Sequence, residues 1–191
     1  MTPPYVLTEE NVANQIAEIR VRLDRLCAGL SPAQLNWQGD AGRQWSVGQC
    51  LDHVTRTTNL YGGPLETAIA VAPPAAGSGA RPNWLGRAFI WAIEPPVRLK
   101  VPAPESVQPG STLDPAIVRT EAEGALVSLQ ALAIRAVGVD AGRLRFANPF
   151  ARGIRAFNVA TGVLVMLAHT RRHLEQAERI RARPDFPSAC S

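Results

Sequence analysis

Lysine is almost absent from this chain: Lys100 is the only one among twenty basic residues, and the formal charge of +4 is carried by arginines scattered along it. A basic stripe interleaved with aromatics, the footprint of single-strand nucleic-acid binding, is missing. Arg171, Arg172, Arg179, Arg181 and Arg183 do cluster, but near the end of a predicted helix, where positive charge complements the dipole and is solvated. No nucleic-acid partner is expected. Cysteine is scarce: Cys27, Cys50 and Cys190 are an odd number at no metal-like spacing, which excludes a disulfide framework and fits reduced thiols in the cytoplasm. Aromatics make up only 6% of residues while alanine and leucine abound, which favours helix over sheet. The longest apolar run, Val159–Ala168, is broken by Thr161 and is too short to span a bilayer, so no membrane partner is expected. Met1–Asn11 has no basic region followed by an apolar run, the mark of a signal peptide.

What is present is helical periodicity. With 191 residues, 46% of them hydrophobic, the expectation is one domain over residues 1–191, burying roughly 70% of the surface of the unfolded chain. Thr8 followed by Glu9 and Glu10 is an N-cap signal, and Val12, Ile16, Ile19, Leu23, Leu26 and Leu30 then form a heptad-like stripe that Gly29 and Ser31-Pro32 end. Leu35–Gln44 reads as a loop containing Trp37. Ser46 with Gln49 is a capping box opening a second helix with Val47, Cys50, Leu51, Val54, Leu65 and Ile69 inward, which Gly62-Gly63-Pro64 is expected to kink or interrupt. A flexible Pro/Gly/Ala stretch, a short apolar helix over Asn83–Ile93 and an extended connection with five prolines over Glu94–Ser111 follow. So long an irregular segment is often functional, for example as a lid. Asp114-Pro115 starts a third helix that ends at Gly138. A loop over Val139–Ile154 leads to a fourth, from about Arg155 to Arg183. The fold class is all-α: an up-down four-helix bundle with a long irregular connection between the second and third helices.

The chain has three histidines. His169 and His173 are four apart in the fourth helix and so share a face, with Leu167 and Leu174 turning that face inward. His53 lies on the inner face of the second helix. Buried imidazoles need hydrogen-bond partners or a metal. Three of them, two from one rod and one from another, would hold a divalent cation such as zinc or nickel and leave positions open for water or substrate.

Trp45-Ser46 with His53 eight residues after the tryptophan, and later His169-Thr170-Arg171-Arg172-His173-Leu174-Glu175-Gln176, resemble the DinB-like (YfiT-like) metalloenzyme superfamily. The family pattern is a W-[S/T] helix start leading to a histidine, and a late H-x-x-R-H-x-x-Q helix. The resemblance covers nearly the whole chain and implies a four-helix bundle with a divalent metal, often nickel or zinc, whose ligands map to His53, His169 and His173. It also implies a homodimer, and either transfer of a low-molecular-weight thiol to a small electrophile or hydrolysis of a small molecule. One position departs: Thr170 stands where the family often has an acidic residue, but helical geometry points it away from the histidine face. The alternative is a non-catalytic metal- or ligand-binding bundle protein, and the family's damage-inducible name raises DNA association as a third reading.

Other residues keep two readings each. Gln176 shares the histidine face and either orients a ligand or bonds backbone at the core edge. Arg172 reads as a surface ion-pair residue rather than a catalytic one, Cys50 as a small buried hydrophobe rather than a ligand or nucleophile, and Tyr61 as packing rather than a proton donor. Trp84, Phe89 and Trp91 either wall a substrate pocket or cap the bundle. No carboxylate is a convincing general base: Glu175 faces away from His173, Glu66 lies beyond the expected kink and Asp52 lies on the flank of His53.

Overall fold

Each long helix begins where a side chain satisfies its first free backbone amides, a contribution of about 1 kcal/mol per cap. In the computed structural model, which describes residues 5–75, 77, 79–99 and 101–188, Thr8 caps α1 (Glu9–Cys27) and Ser46 caps α4 (Val47–Ala70) in a capping box with Gln49. Asn83 caps α5 (Trp84–Ile93), Asp114 caps α6 (Pro115–Val137) and Asn158 caps α7 (Val159–Arg181). Two short elements, α2 (Pro32–Asn36) and the single turn α3 (Gly39–Gly42), join α1 to α4. Among the described residues there is no β-strand, only isolated bridges such as Leu7 with Ala80.

The bundle is built by α1, α4, α6 and α7. Helix α4 packs on α6 and α7, and α1 packs on the same two, with α5 laid against α7. Cross-helix pairs give the directions. Gln15 meets Arg171 and Arg22 meets Glu178, so α1 and α7 run the same way. Glu66 faces Arg135 near the ends of α4 and α6, which run together the other way. The long connection between α4 and α6 is what lets two consecutive bundle helices point in one direction. The core holds the expected stripes, with Ile16, Ile19, Leu51, Leu65, Leu129, Leu164 and Leu174 nearly inaccessible to solvent.

Several boundaries differ from the sequence expectation. The stretch predicted as a loop from Leu35 begins inside α2, because Ser31 and Gln34 form a second capping box and Leu35 is buried. Pro64 does not interrupt α4, which continues to Ala70. Tyr61 and Leu65 on either side of it are packed into the core, and that tertiary burial outweighs the one backbone bond that proline removes. The last helix starts at Val159 rather than Arg155. Asn158 is held by bonds from its side-chain amide to the carbonyls of Arg81 (2.9 Å) and Gly142 (2.7 Å), which anchors the cap there and leaves Arg155–Phe157 outside the helix. Arg171 is not part of a solvated helix end. It is buried, with both sides of its guanidinium on the Glu94 carboxylate and a further bond to Gln15, so it ties the end of α5 and the side of α1 to α7.

Cys27 and Cys50 are free thiols, as expected, and Cys190 lies outside the described residues. Among the described residues no helix is long and apolar enough to cross a membrane.

Close contact between α5 and α7 depends on Gly86, where an added Cβ would run into the side chain of Thr161. Gly124, in the interior of α6, has open space around it. Gly86→Ala is therefore expected to lower unfolding free energy by about 1–3 kcal/mol, whereas Gly124→Ala raises it by about 0.5–1 kcal/mol through helix propensity. Urea denaturation of the two variants checks both signs.

Candidate metal centre

Antiparallel packing of α4 on α7 brings His53 opposite the His169/His173 face. The potential ligand atoms of the three imidazoles all lie within 4.8 Å of one another. His53 Nε2 stands 3.2 Å from His169 Nε2, and the ring centroids are 4.7 Å apart for His53 and His173 and 4.5 Å apart for His169 and His173. Two nitrogens bound tetrahedrally to one zinc at the usual bond length sit about 3.3 Å apart. The His53–His169 separation fits two ligands of one ion, and it is also the length of a direct N–H···N hydrogen bond between the two rings.

The rings are oriented by groups around them. A carbonyl can only accept, so the 2.8 Å contact of His53 Nδ1 with the Val107 carbonyl places the proton on Nδ1 and turns the Nε2 lone pair toward His169. His173 Nδ1 donates to Gln176 Oε1 at 3.1 Å, so Gln176 bonds the ring of His173 and orients it. Trp45 lies against two of the rings, with centroids 4.8 Å from His53 and 5.8 Å from His173. Thr170 is turned to the bundle core, donating to the Met166 carbonyl at 2.8 Å, so the departure at this position leaves the histidine face untouched.

All three imidazoles are held neutral. Burial pushes the pKa of His173 down to about 3, with the neighbouring His53 and Arg172 charges adding to it. Burial also lowers His53, and it takes His169 well below the ordinary range, helped by His173, His53 and Arg172. Neutral imidazole is the form that binds a cation.

The triad sits in the wall of a cavity of about 1000 Å³. The proline-rich connection forms one side of it: Val97, Val101, Pro102, Pro104 and Val107 all line it. Aromatic residues line one end, Phe89, Phe150 and Phe157 with Tyr61. The Tyr61 hydroxyl donates to Asn148 Oδ1 at 3.4 Å, and burial pushes its pKa up to about 12, so it both packs and stays protonated at the cavity wall. Of the three aromatics on α5, only Phe89 faces the cavity; Trp84 and Trp91 are 80% and 55% exposed and wall nothing. Cys50 is fully buried and does not line the cavity, and burial drives its thiol pKa far up, so it is the small hydrophobe expected.

Two polar expectations change, and that for Asp52 holds. Glu175 is on the cavity wall, the one carboxylate there among the described residues, with one oxygen held by Arg179 and the other buried without a partner. The cavity lining continues along α7 beyond the triad to Arg179 and Ile180, which brings in a side chain that the helical angle alone turns away. Arg172 is no surface ion-pair residue: it lines the cavity half-buried and bonds the Leu99 carbonyl at 3.1 Å. Asp52 is occupied in structure, accepting from Arg56 at 2.9 Å and from the Gly110 amide at 2.8 Å. The Val107 carbonyl and the role of Trp45 against the rings had no local signal, since both depend on tertiary contact.

Because the folded protein keeps these histidines neutral, acid destabilises it. From about pH 6.5 down to about pH 3 the unfolded chain takes up protons that the folded, metal-free protein refuses, so their contribution is present above the unfolded pKa and lost as pH falls. The urea midpoint of chelator-treated protein is expected to fall on acidification through this range, and to fall less in a His169→Gln/His173→Gln double variant. Equal falls would assign the acid sensitivity to carboxylates alone.

Comparison with known proteins supplies the family. Neither the curated proteins nor the solved structures yield a match to this chain. A family model described as DinB superfamily matches residues 15–177, which takes in α1 through most of α7 and all three histidines. The chain belongs to the DinB superfamily.

Proposed function

We propose that the protein is a metal-dependent enzyme acting on a small molecule, with His53, His169 and His173 as ligands of one divalent cation, nickel or zinc. The observation that supports it best is three neutral imidazoles facing one another in the wall of a large cavity. A cation there would act as a Lewis acid, lowering the pKa of a nucleophile bound at its open positions. The rest falls to the chain. Val107 and Gln176 fix two of the rings, Trp45 covers them, and the aromatic end excludes water from the substrate. The reaction proposed is transfer of a low-molecular-weight thiol to an electrophile, or hydrolysis, in a homodimer; this part rests on family analogy. A non-catalytic binding protein would be expected to close its ligand shell with protein atoms, and the cavity speaks against that.

Protein purified without an affinity tag is expected to carry one equivalent of metal by elemental analysis. His53→Ala and His169→Ala should lose it, and Gln176→Ala should weaken affinity about 10- to 100-fold while leaving the fold intact. Absence of stoichiometric metal in the native protein, with variants that differ only in stability, would sink the metal site. A conjugation screen with several cellular thiols then tests the reaction class.

A further inference from the structure

The cavity is not uniform along its length. The α7 residues that line it run from Val165 to Ile180, over roughly 20 Å of helix, and include the Glu175 carboxylate, which Arg179 holds. Toward the start of α7 the facing residues are Phe89, Phe157 and Tyr61; toward its end they are Gln44, Arg43 and Arg183. The histidines stand between an apolar compartment and a polar one.

Four arginines line this cavity; two are held by carboxylates and a third is open to solvent. Arg179 is held by Glu175, and Arg183 by Asp40 and Asp185 at 3.1 and 2.8 Å. Arg43 is exposed, with its Nε on the Asp40 carbonyl. Arg172 is different. It is half-buried beside the triad, adjacent in sequence to His173, and among the described residues its guanidinium meets one backbone carbonyl and no carboxylate. A guanidinium has five N–H donors in a planar fork that matches a carboxylate. Its positive charge also bears on all three imidazoles, where it works against their protonation. A permanent cation kept there, partly desolvated and largely unpaired, is stabilised when an anion enters the cavity. One turn from His53, the buried Thr57 hydroxyl also lines the cavity without a partner, a second polar group left for a ligand.

We propose that Arg172 is the specificity-determining residue of this cavity, anchoring a substrate carboxylate beside the histidines while the apolar body of the substrate lies against the paired rings of Phe89 and Phe157. This deepens the enzyme reading above, since it rests on the cavity being the substrate site, but it does not need the metal to be bound. The substrate class is an amphiphilic monocarboxylate with an aryl or alkyl body.

Isothermal titration with 4-phenylbutyrate and its neutral counterpart 4-phenylbutyramide, on chelator-stripped and zinc-loaded protein, tests it. Stripped wild-type protein is expected to bind the carboxylate about tenfold tighter than the amide. Arg172→Gln should abolish that preference with the amide affinity unchanged, Arg172→Lys should retain part of it, and Phe89→Ala should weaken both probes. Equal affinities in the wild type, no binding of either probe, or a preference that survives in Arg172→Gln would overturn the assignment. Zinc affinity, measured by competition with a chromophoric chelator, separates this from the metal reading. If neither wild type nor Arg172→Gln binds zinc while the carboxylate preference holds, the metal site falls and the anchor stands.

Discussion

Three imidazoles facing one another beside a fixed positive charge in a poorly hydrated site favour the neutral form of each ring. Much of the surrounding structure acts in the same direction. Burial is the largest cause of the lowered pKa at each of the three, and the Arg172 charge adds to it in every case. Orientation is the other half. The Val107 carbonyl dictates which nitrogen of His53 carries its proton, and the Gln176 amide holds His173. The ring nitrogens of the three histidines converge closely enough that the cluster could hold a metal ion.

Helix α7 organises the molecule around that point. One face carries the cavity residues, with the two histidines at its middle, while Thr170 and Leu174 turn to the bundle core. Arg171 fixes the helix laterally. Its bonds to Glu94 and Gln15 bind the end of α5 and the side of α1 at the level of the histidines, so the cavity-facing residues sit on a helix clamped from two directions. Removing one partner of so buried a pair would leave an uncompensated charge, so these contacts hold the three elements together at this level. The polyproline connection then closes the open side, since Val107 at its far end reaches back to His53.

The side chains that departed from expectation share a cause. Arg171, Arg172 and Glu175 all have the local look of helix-surface charges, and helical angle alone sorts them by direction from His173. What the angle does not contain is which neighbour each direction meets. Arg171 meets Glu94, brought across by the α5 packing that Gly86 permits. Arg172 and Glu175 meet the cavity instead of bulk water, because the proline-rich segment and the Arg43–Trp45 stretch build its walls from outside the bundle. Trp84 and Trp91 went the opposite way: an apolar helix only ten residues long buried Gly86, Ile90 and Ile93 and left both tryptophans in solvent.

By itself, the sequence determined the helices, most of their caps, the core stripes and the three histidines as a set, because each is encoded by residues within a few turns of one another. The i, i+4 pair is rigid for the same reason. Only the tertiary structure decided that α4 and α6 run the same way, that Pro64 stays inside a continuous helix, and that a carbonyl 54 residues from His53 sets its tautomer. It alone decided, too, that Arg172 stands in a cavity without a carboxylate to answer it. Those outcomes depend on contacts between segments far apart in the chain, where packing free energy rather than local propensity chooses the partner.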